Sequence, residues 1–592
     1  MSAASVERTA GYFEDAAHPF FGWYHAVPGA ASRDLVAVVC GPLGSEYTRS
    51  HRSLRHLTDR LARAGIPALR FDYHGTGNSP GTDLDAGRVA AWLANIRAAC
   101  DHARRLSGCS RVCLVGVRLG ATLAALASGE VAPELLVLWN APVRGRPYVR
   151  ELKAIAATAA RASDDGDGAL EAAGAVMTPE TLDHLRRVDL LRHPLRAGRV
   201  LLVARDDLSA DPALEQHLAA LGVPCDSICV PGWNGMMADH QFTVVPDAAL
   251  ARIVDWVENW GQTPISANSI PKPLVERPKN EVDVKLGSDP ILERLCRFGE
   301  DGHLFGVLSR ASEDATRPAI LMFNGGAVHH VGPNRIYVTL ARSLAAMGFA
   351  CLRFDLEGIG DSVLRKPGRE NHPYPDHAVT DAAAAIEYLR ERFGYRRFIM
   401  LGLCSGAHTA FHSALKLKEH AISELVLINP YAFYWKDGMS LDVVKRFEDT
   451  QQYKKSMRDP SRWLKLLRGD VNFRRLLNVA MHHPKTVAKS YYDAFCETLA
   501  PAHAPRLSQD LRRLFDSNRT VTVLLSEGDP GGDIIMTDAR LTARRGLRSG
   551  HMRMETIAGG DHTFTQSRPR KALVERVAAH LKARLDPEAA RT

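Results

Sequence analysis

The chain repeats itself, and this internal repeat limits the folds open to it more than any other feature. Residues 61–79 correspond to residues 344–362 along nineteen consecutive positions. Two shorter blocks agree in the same way, residues 18–23 with 302–307 and residues 111–121 with 397–407. Agreement of this extent makes chance a poor explanation, so the sequence predicts a tandem duplication in which one fold is written twice.

Length and composition agree with two globular units. A domain takes roughly 150 residues, and the chain has 592 residues, of which 45% are apolar and 24% charged. The net charge of +8 is mild and weakly favours acidic partners, but no nucleic-acid-binding motif is present. Residues 262–280 contain four prolines among polar residues, so we predict domains at residues 1–265 and 290–592, joined by a linker at 266–289.

Cysteine usage and hydropathy predict a cytoplasmic protein with reduced thiols. Residues 1–10 carry Glu7 and Arg8 and lack an apolar signal core, and no apolar stretch reaches the roughly 18 residues of a membrane span. Ten cysteines are sparse for this length. The close pairs lie around apolar strand-like runs and therefore favour buried thiols over a zinc site: Cys109 with Cys113, and Cys225 with Cys229. We expect no metal and no cofactor.

Each copy alternates short apolar runs with helical segments, which is typical of a mostly parallel sheet flanked by helices. The predicted strands are residues 35–40, 67–71, 112–115, 134–139, 199–203 and 226–230 in the first copy, and residues 319–323, 350–354, 398–401, 424–428, 520–525 and 552–557 in the second. The Gly-x-Gly-x-Ser motif after the second strand of each copy is interpreted as a tight structural turn, because it lacks the spacing of a dinucleotide fingerprint. The predicted fold class is α/β.

The most informative short motif is Gly-Leu-Cys-Ser-Gly at residues 402–406, directly after a predicted strand. A strand that breaks into Gly-x-Cys-x-Gly before helix-compatible residues predicts a strand, a sharp turn and a helix. The motif resembles the nucleophile elbow of the α/β-hydrolase superfamily, with cysteine in place of the usual serine. The resemblance covers nearly the whole chain, as two tandem α/β-hydrolase domains, and it implies that Cys404 is the nucleophile.

The same resemblance implies the rest of a catalytic site in the second copy. In the superfamily the acid follows a later strand and the histidine follows the last strand, so His562 is the expected base and Asp529 the expected acid. Asp533 is the competing acid, because the sequence does not reveal the length of the loop. The backbone N–H groups of Ser405 and Gly326 are expected to form the oxyanion hole.

The first copy lacks this machinery at two positions. Arg118 stands where the second copy has Cys404, and arginine cannot act as a nucleophile. Pro42 aligns with Gly326 to within one residue and has no N–H to donate. We therefore predict a catalytically degenerate first domain.

Other residues of that degenerate site remain near the acid and histidine positions, namely Asp206, Asp207 and His240. These residues are either remnants of a former catalytic site or, in the case of Asp207, an ion-pair partner of Arg118. The expected role of the domain is packing, and the alternative is an Arg118-lined pocket for an anionic ligand.

Long segments in both copies predict caps over the sheets. About ninety residues, 429–518, separate two strands of the second copy, and the shorter segment 141–198 predicts a small helical cap in the first. The large cap begins with aromatic residues that would either line an acyl site or pack the cap, namely Tyr431, Phe433, Tyr434 and Trp435. It continues with a basic segment at residues 454–475, interpreted as a solvated helix face or as a docking site for an acidic carrier protein or coenzyme A.

A cysteine nucleophile makes acyl transfer as plausible as hydrolysis, because its thioester is activated enough to pass the acyl group to an alcohol, an amine or a thiol as well as to water. Similar cysteine elbows occur in dienelactone hydrolases, polyhydroxyalkanoate synthases and some biosynthetic thioesterases. The expected function is cysteine-dependent acyl transfer from a thioester or ester through acyl-Cys404, with an acyl-carrier protein or coenzyme A as candidate partners. The alternatives are a plain esterase or peptidase-like hydrolase and a non-catalytic scaffold. The sequence does not indicate an oligomeric state.

Overall fold

The computed structural model describes residues 5–15, 18–29, 33–158, 168–172, 174–208, 212–261, 278–286, 289–436, 439 and 503–585. The chain forms two compact units, one made chiefly of Met1–Cys296 and the other chiefly of Ser343–Thr592. No helix within the described residues is long and apolar enough to cross a bilayer.

The first copy is built on a sheet that contains eight strands among the described residues. In chain order its strands are β1 (Glu7–Phe13), β2 (Phe20–Ala26), β3 (Leu35–Cys40), β4 (Ala68–Phe71), β5 (Arg111–Val117), β6 (Leu135–Trp139), β9 (Arg199–Arg205) and β10 (Cys225–Val230). They lie in the order β1-β2-β4-β3-β5-β6-β9-β10. The strands from β4 to β10 pair in parallel, whereas β1 and β2 add an antiparallel edge. A separate hairpin pairs β7 (Leu170–Ala172) with β8 (Ala175–Met177).

The second copy has a sheet of nine strands in the described part of the chain. They are β11 (Glu281–Leu286), β12 (Asp289–Phe298), β13 (Leu304–Arg310), β14 (Ala319–Phe323), β15 (Ala350–Phe354), β16 (Phe398–Leu403), β17 (Ile422–Ile428), β18 (Thr520–Ser526) and β19 (Met552–Ile557). Their order is β11-β12-β13-β15-β14-β16-β17-β18-β19. The strands from β15 to β19 pair in parallel, so their carboxyl ends meet at one edge of the sheet.

Helices connect the strands. Those of the first copy are α1 (Ser45–Arg63), α2 (Arg88–Ser107), α3 (Leu119–Val131), α4 (Gly145–Thr158), α5 (Pro179–Arg187), α6 (Pro212–Ala220), α7 (Trp233–Met236) and α8 (Asp247–Trp260). Those of the second are α9 (Ile336–Ala346), α10 (Ala378–Phe393), α11 (Ser405–Lys416), α12 (Arg506–Asp516), α13 (Gly531–Asp538), α14 (Arg540–Ser549) and α15 (Ser567–Leu585).

Strand β3 explains why the parallel strands are apolar throughout. Its residues alternate between two hydrophobic clusters, so that Val36 and Val38 belong to one and Ala37 and Val39 to the other. Side chains alternate across a strand, and helices cover both faces, so no position of the strand faces water. This is why the sequence shows a continuous apolar run here rather than an alternating pattern.

All twelve predicted strands form, and the α/β prediction is confirmed. The sequence missed the antiparallel edges, because β1 and β2 carry polar and glycine residues and lie outside the central parallel strands. The predicted linker also contains β11, so its C-terminal part belongs to the second sheet; residues 266–277 lie outside the described residues. The small cap is not wholly helical, since β7 and β8 form a hairpin between α4 and α5. Residues 440–502, with the basic segment of the large cap, lie outside the described residues.

The Gly-x-Gly-x-Ser turn is held by the same hydrogen bonds in both copies. The Ser362 hydroxyl donates to the Asp355 carbonyl (2.6 Å) and accepts from the N–H of Phe305 (2.9 Å). In the first copy the Ser79 hydroxyl donates to Asp72 (2.7 Å) and accepts from Phe21 (2.9 Å). These bonds join the turn to a neighbouring strand, in agreement with a structural role.

Candidate active site

Cys404 occupies a sharp turn between β16 and α11. Its φ of 57° and ψ of −114° are strained for a residue that carries a side chain. An added Cβ on Gly402 would lie 2.1 Å from the backbone of Gly406, and one on Gly406 would lie 2.5 Å from the Phe323 carbonyl oxygen. The Cys404 N–H donates to the carbonyl of Ile428 on the next strand (3.0 Å). The two glycines are therefore required for the turn that lifts Cys404 above the carboxyl end of the sheet.

Arg118 adopts the same turn in the first copy, with φ 54° and ψ −125°. An added Cβ on either Gly116 or Gly120 would lie 2.3 Å from backbone atoms. The elbow is therefore formed by its glycines and the surrounding strands, whatever the chemistry of the residue at its centre.

His562 lies in the loop after β19 and is bonded to Asp529, which follows β18. His562 Nδ1 and Asp529 Oδ2 are 2.7 Å apart, and the Asp529 side chain is almost fully buried. The N–H of Gly531 also donates to Asp529 (2.9 Å) and fixes the carboxylate. Asp533, the competing acid in the sequence, lies instead in the first turn of α13. The roles assigned to His562 and Asp529 stay predictions.

Asn429 holds the His562 loop from the end of β17. Its side-chain amide donates to the His562 carbonyl (2.7 Å), and its side-chain oxygen accepts the N–H of Ser526 (2.7 Å). This fully buried residue has a left-handed φ of 44°, which asparagine tolerates better than most residues. Asn429 thus ties the histidine loop to the ends of two strands.

His562 is also hydrogen-bonded to Cys404. Because Nδ1 faces Asp529, the Nε2 atom is the one left for the sulfur. Burial lowers the pKa of His562, but the charge of Cys404 and the hydrogen bonds from Asp529 and Cys404 outweigh it and raise the pKa to about 10. The raised pKa favours the charged form of the imidazole.

The two predicted oxyanion donors are joined by a side chain. The Gly326 N–H donates to the Ser405 hydroxyl oxygen (2.8 Å), and that hydroxyl lies 3.3 Å from the Asn324 carbonyl oxygen. Gly326 has a left-handed φ of 59°, which explains the need for glycine. A substrate oxygen would therefore have to replace the Ser405 hydroxyl as acceptor of the Gly326 N–H.

Tyr374 is a site residue that the sequence analysis missed. It lies in the loop between β15 and α10, it is 9% exposed, and its hydroxyl is hydrogen-bonded to Cys404. Burial and the charge of Cys404 raise the pKa of Tyr374, so its phenol remains a donor. Its ring stacks on Trp435 (centroids 4.5 Å apart, planes at 12°) and meets the edge of His408 (5.1 Å). No motif marks this tyrosine, because the loop carries it to the elbow from outside any strand.

The four cap aromatics divide between the site and its packing. Tyr431 contacts the His562 ring edge-on (5.0 Å), and Trp435 covers Tyr374. Phe433 is buried against Phe411 (5.1 Å). The fourth, Tyr434, donates a hydrogen bond from its hydroxyl to Asp510 (2.6 Å). Tyr431 and Trp435 remain candidates for substrate contact, whereas Phe433 belongs to the core.

In the described part of the first copy, Arg118, Asp207 and His240 are not hydrogen-bonded to one another. Arg118 donates to Glu46 (2.8 Å) and Glu151 (2.5 Å). The suggested pairing of Arg118 with Asp207 is wrong, because Asp207 is bonded to Arg205. Since two carboxylates occupy the Arg118 guanidinium, the structure gives no support to an anion pocket there.

His240 of the first copy is also engaged elsewhere. Its Nε2 atom lies 2.8 Å from the Thr48 hydroxyl. Burial, followed by the nearby Arg49 charge, lowers the pKa of His240 to about 4, whereas the pKa of His562 is raised.

Comparisons with known proteins agree with this geometry. The model described as "Alpha/beta hydrolase family" matches residues 320–576, and the model "Serine aminopeptidase, S33" matches residues 38–201. No curated protein sequence matches the chain. Each copy therefore contains a region that matches a hydrolase-type family model, and the predicted resemblance to α/β hydrolases is confirmed for these regions.

Among solved structures, the chain is similar to ferulic acid-bound Est1E from Butyrivibrio proteoclasticus, with 18% identity, 42% of this chain and 96% of that chain covered, and a TM-score of 0.33. An α/β serine hydrolase without a lid from Xanthomonas campestris gives 16% identity, 44% and 97% coverage, and a TM-score of 0.30. Proline iminopeptidase from Mycobacterium smegmatis gives 15% identity, with 43% of this chain and 99% of that chain covered, and a TM-score of 0.30. Similarities at this level carry no information on substrate.

Proposed function

We propose that this protein transfers acyl groups through a thioester on Cys404, which it forms from an acyl thioester or ester. The observation that carries the proposal is the chain of hydrogen bonds from Asp529 to His562 and from His562 to Cys404 at a strained elbow. Nucleophile, base and orienting carboxylate in this arrangement are the parts that acyl transfer requires.

In the first half-reaction the Cys404 thiolate attacks the carbonyl carbon and a carbon–sulfur bond forms. The bond from that carbon to the leaving alkoxide or thiolate then breaks, and the leaving group takes the His562 proton. Because the pKa of His562 is raised to about 10, that proton is already on the imidazole when the substrate arrives.

In the second half-reaction an acceptor attacks acyl-Cys404. His562, now neutral, takes the proton of the acceptor, and the Cys404 thiolate leaves, which restores the ion pair. The acceptor is water in hydrolysis and an alcohol, amine or thiol in transfer. A thioester is more reactive toward such acceptors than an oxyester, which favours transfer.

Charge on the carbonyl oxygen would be stabilised by the N–H groups of Ser405 and Gly326. The Tyr374 hydroxyl is a donor at a different atom, the Cys404 sulfur. Tyr431 and Trp435 supply aromatic surface on which an apolar acyl group would lie. An acyl-carrier protein or coenzyme A is the proposed donor, on the chemical ground that both deliver acyl groups as thioesters.

The rival functions have less support. The aminopeptidase model matches the first copy, whose elbow carries Arg118, so it does not argue for peptide cleavage at Cys404. A scaffold with an inert Cys404 would not require the bonds of His562 to both Asp529 and Cys404. Simple ester hydrolysis would use the same catalytic residues as acyl transfer. Only an experiment that identifies the acceptor distinguishes the two reactions.

The proposal is tested by intact-protein mass spectrometry after incubation with acyl-CoA, acyl-carrier-protein and p-nitrophenyl ester donors. We expect one acyl mass on the wild type and none on Cys404→Ala. Cys229→Ala, which removes an exposed thiol of the first copy, is the matched control and keeps the adduct. Added amines or alcohols should carry the acyl group away. A wild-type chain that stays unmodified by every donor contradicts the proposal.

A further inference from the structure

A second group of chemically active side chains lies apart from the proposed triad. It consists of His303, which precedes β13, Glu357, which follows β15, and Asp381, in the first turn of α10; we call it the His303 cluster. All three side chains are buried, and one ligand atom from each lies within 4.8 Å of the other two. Three separate elements of the second copy thus direct their polar groups to one point.

The hydrogen bonds of His303 leave one ring nitrogen unexplained. His303 Nδ1 lies 2.7 Å from the Glu300 carbonyl oxygen and therefore carries the proton. In the neutral imidazole, Nε2 then has a lone pair, and no described residue is hydrogen-bonded to this buried atom. It points at Glu357 Oε2, 3.7 Å away. A lone pair that faces a carboxylate in a buried site requires a positive charge between them.

The first copy shows what the fold alone requires at these positions. In the repeat, His303 corresponds to Pro19 and Glu357 corresponds to His74. Asp381 corresponds to Asn95, because Asp381 lies sixteen residues before Arg397 and Asn95 lies sixteen residues before the matching Arg111. Asn95 accepts the N–H of His74 (2.7 Å), just as Asp381 accepts the N–H of Glu357 (2.9 Å).

An amide oxygen is therefore sufficient for this backbone bond. His303, Glu357 and the negative charge of Asp381 have no counterpart at these positions of the first copy. These groups are one imidazole and two carboxylates, which are ligands for divalent cations.

A neighbouring cluster with similar residue types does not have this property. Asp355, His330 and Asp361 are also close together and buried. However, the Asp355 carboxylate already accepts hydrogen bonds from Asn324, from the backbone and ring of His330, and from the backbone of Asp361. Its lone pairs are used within the protein, so it offers nothing to a cation.

We propose that His303 Nε2, Glu357 and Asp381 bind one divalent transition-metal ion of the Zn²⁺ or Mn²⁺ type. Arg365 donates its backbone N–H and its Nε to the Glu357 carboxylate (2.9 and 2.8 Å) and orients it from the far side. His377 lies 3.7 Å from Asp381 at the half-buried rim. The ion would join the start of β13, the turn after β15 and the beginning of α10.

The proposed ion has a structural consequence for the candidate active site. Tyr374 lies seven residues before Asp381, at the end of the loop that enters α10. An ion that anchors the first turn of α10 would limit the movement of this loop and hold the Tyr374 hydroxyl at Cys404. The proposal itself does not depend on Cys404 being catalytic, because it concerns binding and stability.

The test uses the untagged full chain, treated with a chelator and then titrated with ZnCl₂ or MnCl₂ by calorimetry, with bound metal counted by elemental analysis. We expect one tight site in the wild type and a higher Tm with metal. Asp381→Asn, which installs the residue of the first copy and can keep the backbone bond, should lose at least about tenfold in affinity and the gain in Tm. Asp376→Asn, an exposed position on the same loop, is the matched control and should bind as the wild type does.

His303→Gln is the second variant and should also lose the site, with folding checked by circular dichroism. Two results would overturn the proposal. One is equal metal binding by the wild type and Asp381→Asn, which would place any bound ion elsewhere. The other is a wild type that binds neither ion, which would mean that a proton on His303 Nε2 supplies the positive charge.

Discussion

Arg118 and Cys404 stand at the same point of two copies of one turn, with φ angles of 54° and 57°. Non-glycine residues in such conformations cost of order 1–3 kcal/mol, so both copies maintain this strain. In the second copy the turn presents a thiol to His562, and in the first it presents a guanidinium to two carboxylates. The elbow is thus a property of the fold. Its chemical properties depend on the residue at its centre, which is Arg118 in the first copy and Cys404 in the second.

Replacing Arg118 by alanine should reduce stability and leave acylation of Cys404 unchanged. The substitution leaves Glu46 and Glu151 without their cation, so we expect a loss of about 1–3 kcal/mol in the urea unfolding of the chain. The initial rate of adduct formation on Cys404 is measured in parallel. A folded variant that no longer acylates would contradict the assignment of catalysis to the second copy.

Asp529→Asn should slow acylation by about 10³-fold, because the amide no longer stabilises the charged imidazole that forms the ion pair. Asp533→Asn is the matched control, since this residue lies on α13 and not at the His562 ring, and should keep its rate within about twofold. Single-turnover rates with the best acyl donor measure both. The reverse order of effects would make Asp533 the acid.

Tyr374→Phe should slow acylation by about tenfold or more, because it removes a donor at the Cys404 sulfur and leaves the ring stacked on Trp435. Tyr434→Phe removes a hydroxyl from the same aromatic group, but that hydroxyl is bonded to Asp510 and not to Cys404. The control should therefore retain the wild-type rate of acylation. Equal rates in all three proteins would limit Tyr374 to packing.

The pH dependence of His562 follows from its raised pKa. The folded-state value of about 10 lies above the ordinary value of 6.5, so the charged imidazole stabilises the fold fully below about pH 6.5, and this contribution is lost as the pH rises to 10. The NMR signal of the His562 ring should therefore remain that of imidazolium at pH 8. In Cys404→Ala the titration should move to lower pH, because Cys404 supplies part of the increase. A wild-type titration near 6.5 would exclude the ion pair.

Gly406→Ala tests the elbow itself. The new Cβ would lie 2.5 Å from the Phe323 carbonyl oxygen and 2.9 Å from that of Asn324, so the backbone must move. We expect loss of the Cys404 adduct together with a lower Tm. Gly394→Ala, at the end of α10, is a control with left-handed φ and no atom within 4 Å of the new Cβ, and it should keep the adduct. An unaffected Gly406→Ala protein would show that the turn tolerates more than its geometry suggests.

The repeat and the apolar runs were sufficient to predict the central strands and the elbow, because parallel strands buried on both faces have a distinct composition. They did not reveal the hairpin β7–β8, whose strands have only three residues each, or the antiparallel edges, whose strands carry polar and glycine residues. The choice of Asp529 over Asp533 as the partner of His562 depends on the length of the turn after β18, which the sequence does not reveal. In the structure this turn consists of Glu527 and Gly528. Tyr374 and Cys404 lie far apart in sequence, as do the members of the His303 cluster, and they meet only after folding, so no local spacing could mark them.

The Ser405 hydroxyl already occupies the Gly326 N–H before any acyl group arrives. The loop that carries Gly326 is thereby held to the elbow when the site is empty. It also means that a developing oxyanion exchanges one acceptor for another. The gain is the difference between a charged and a neutral hydrogen bond, of order 1 kcal/mol, rather than the full strength of a new one. Under the proposed function, the Ser405 hydroxyl would therefore set an upper limit on what the Gly326 N–H contributes to the rate.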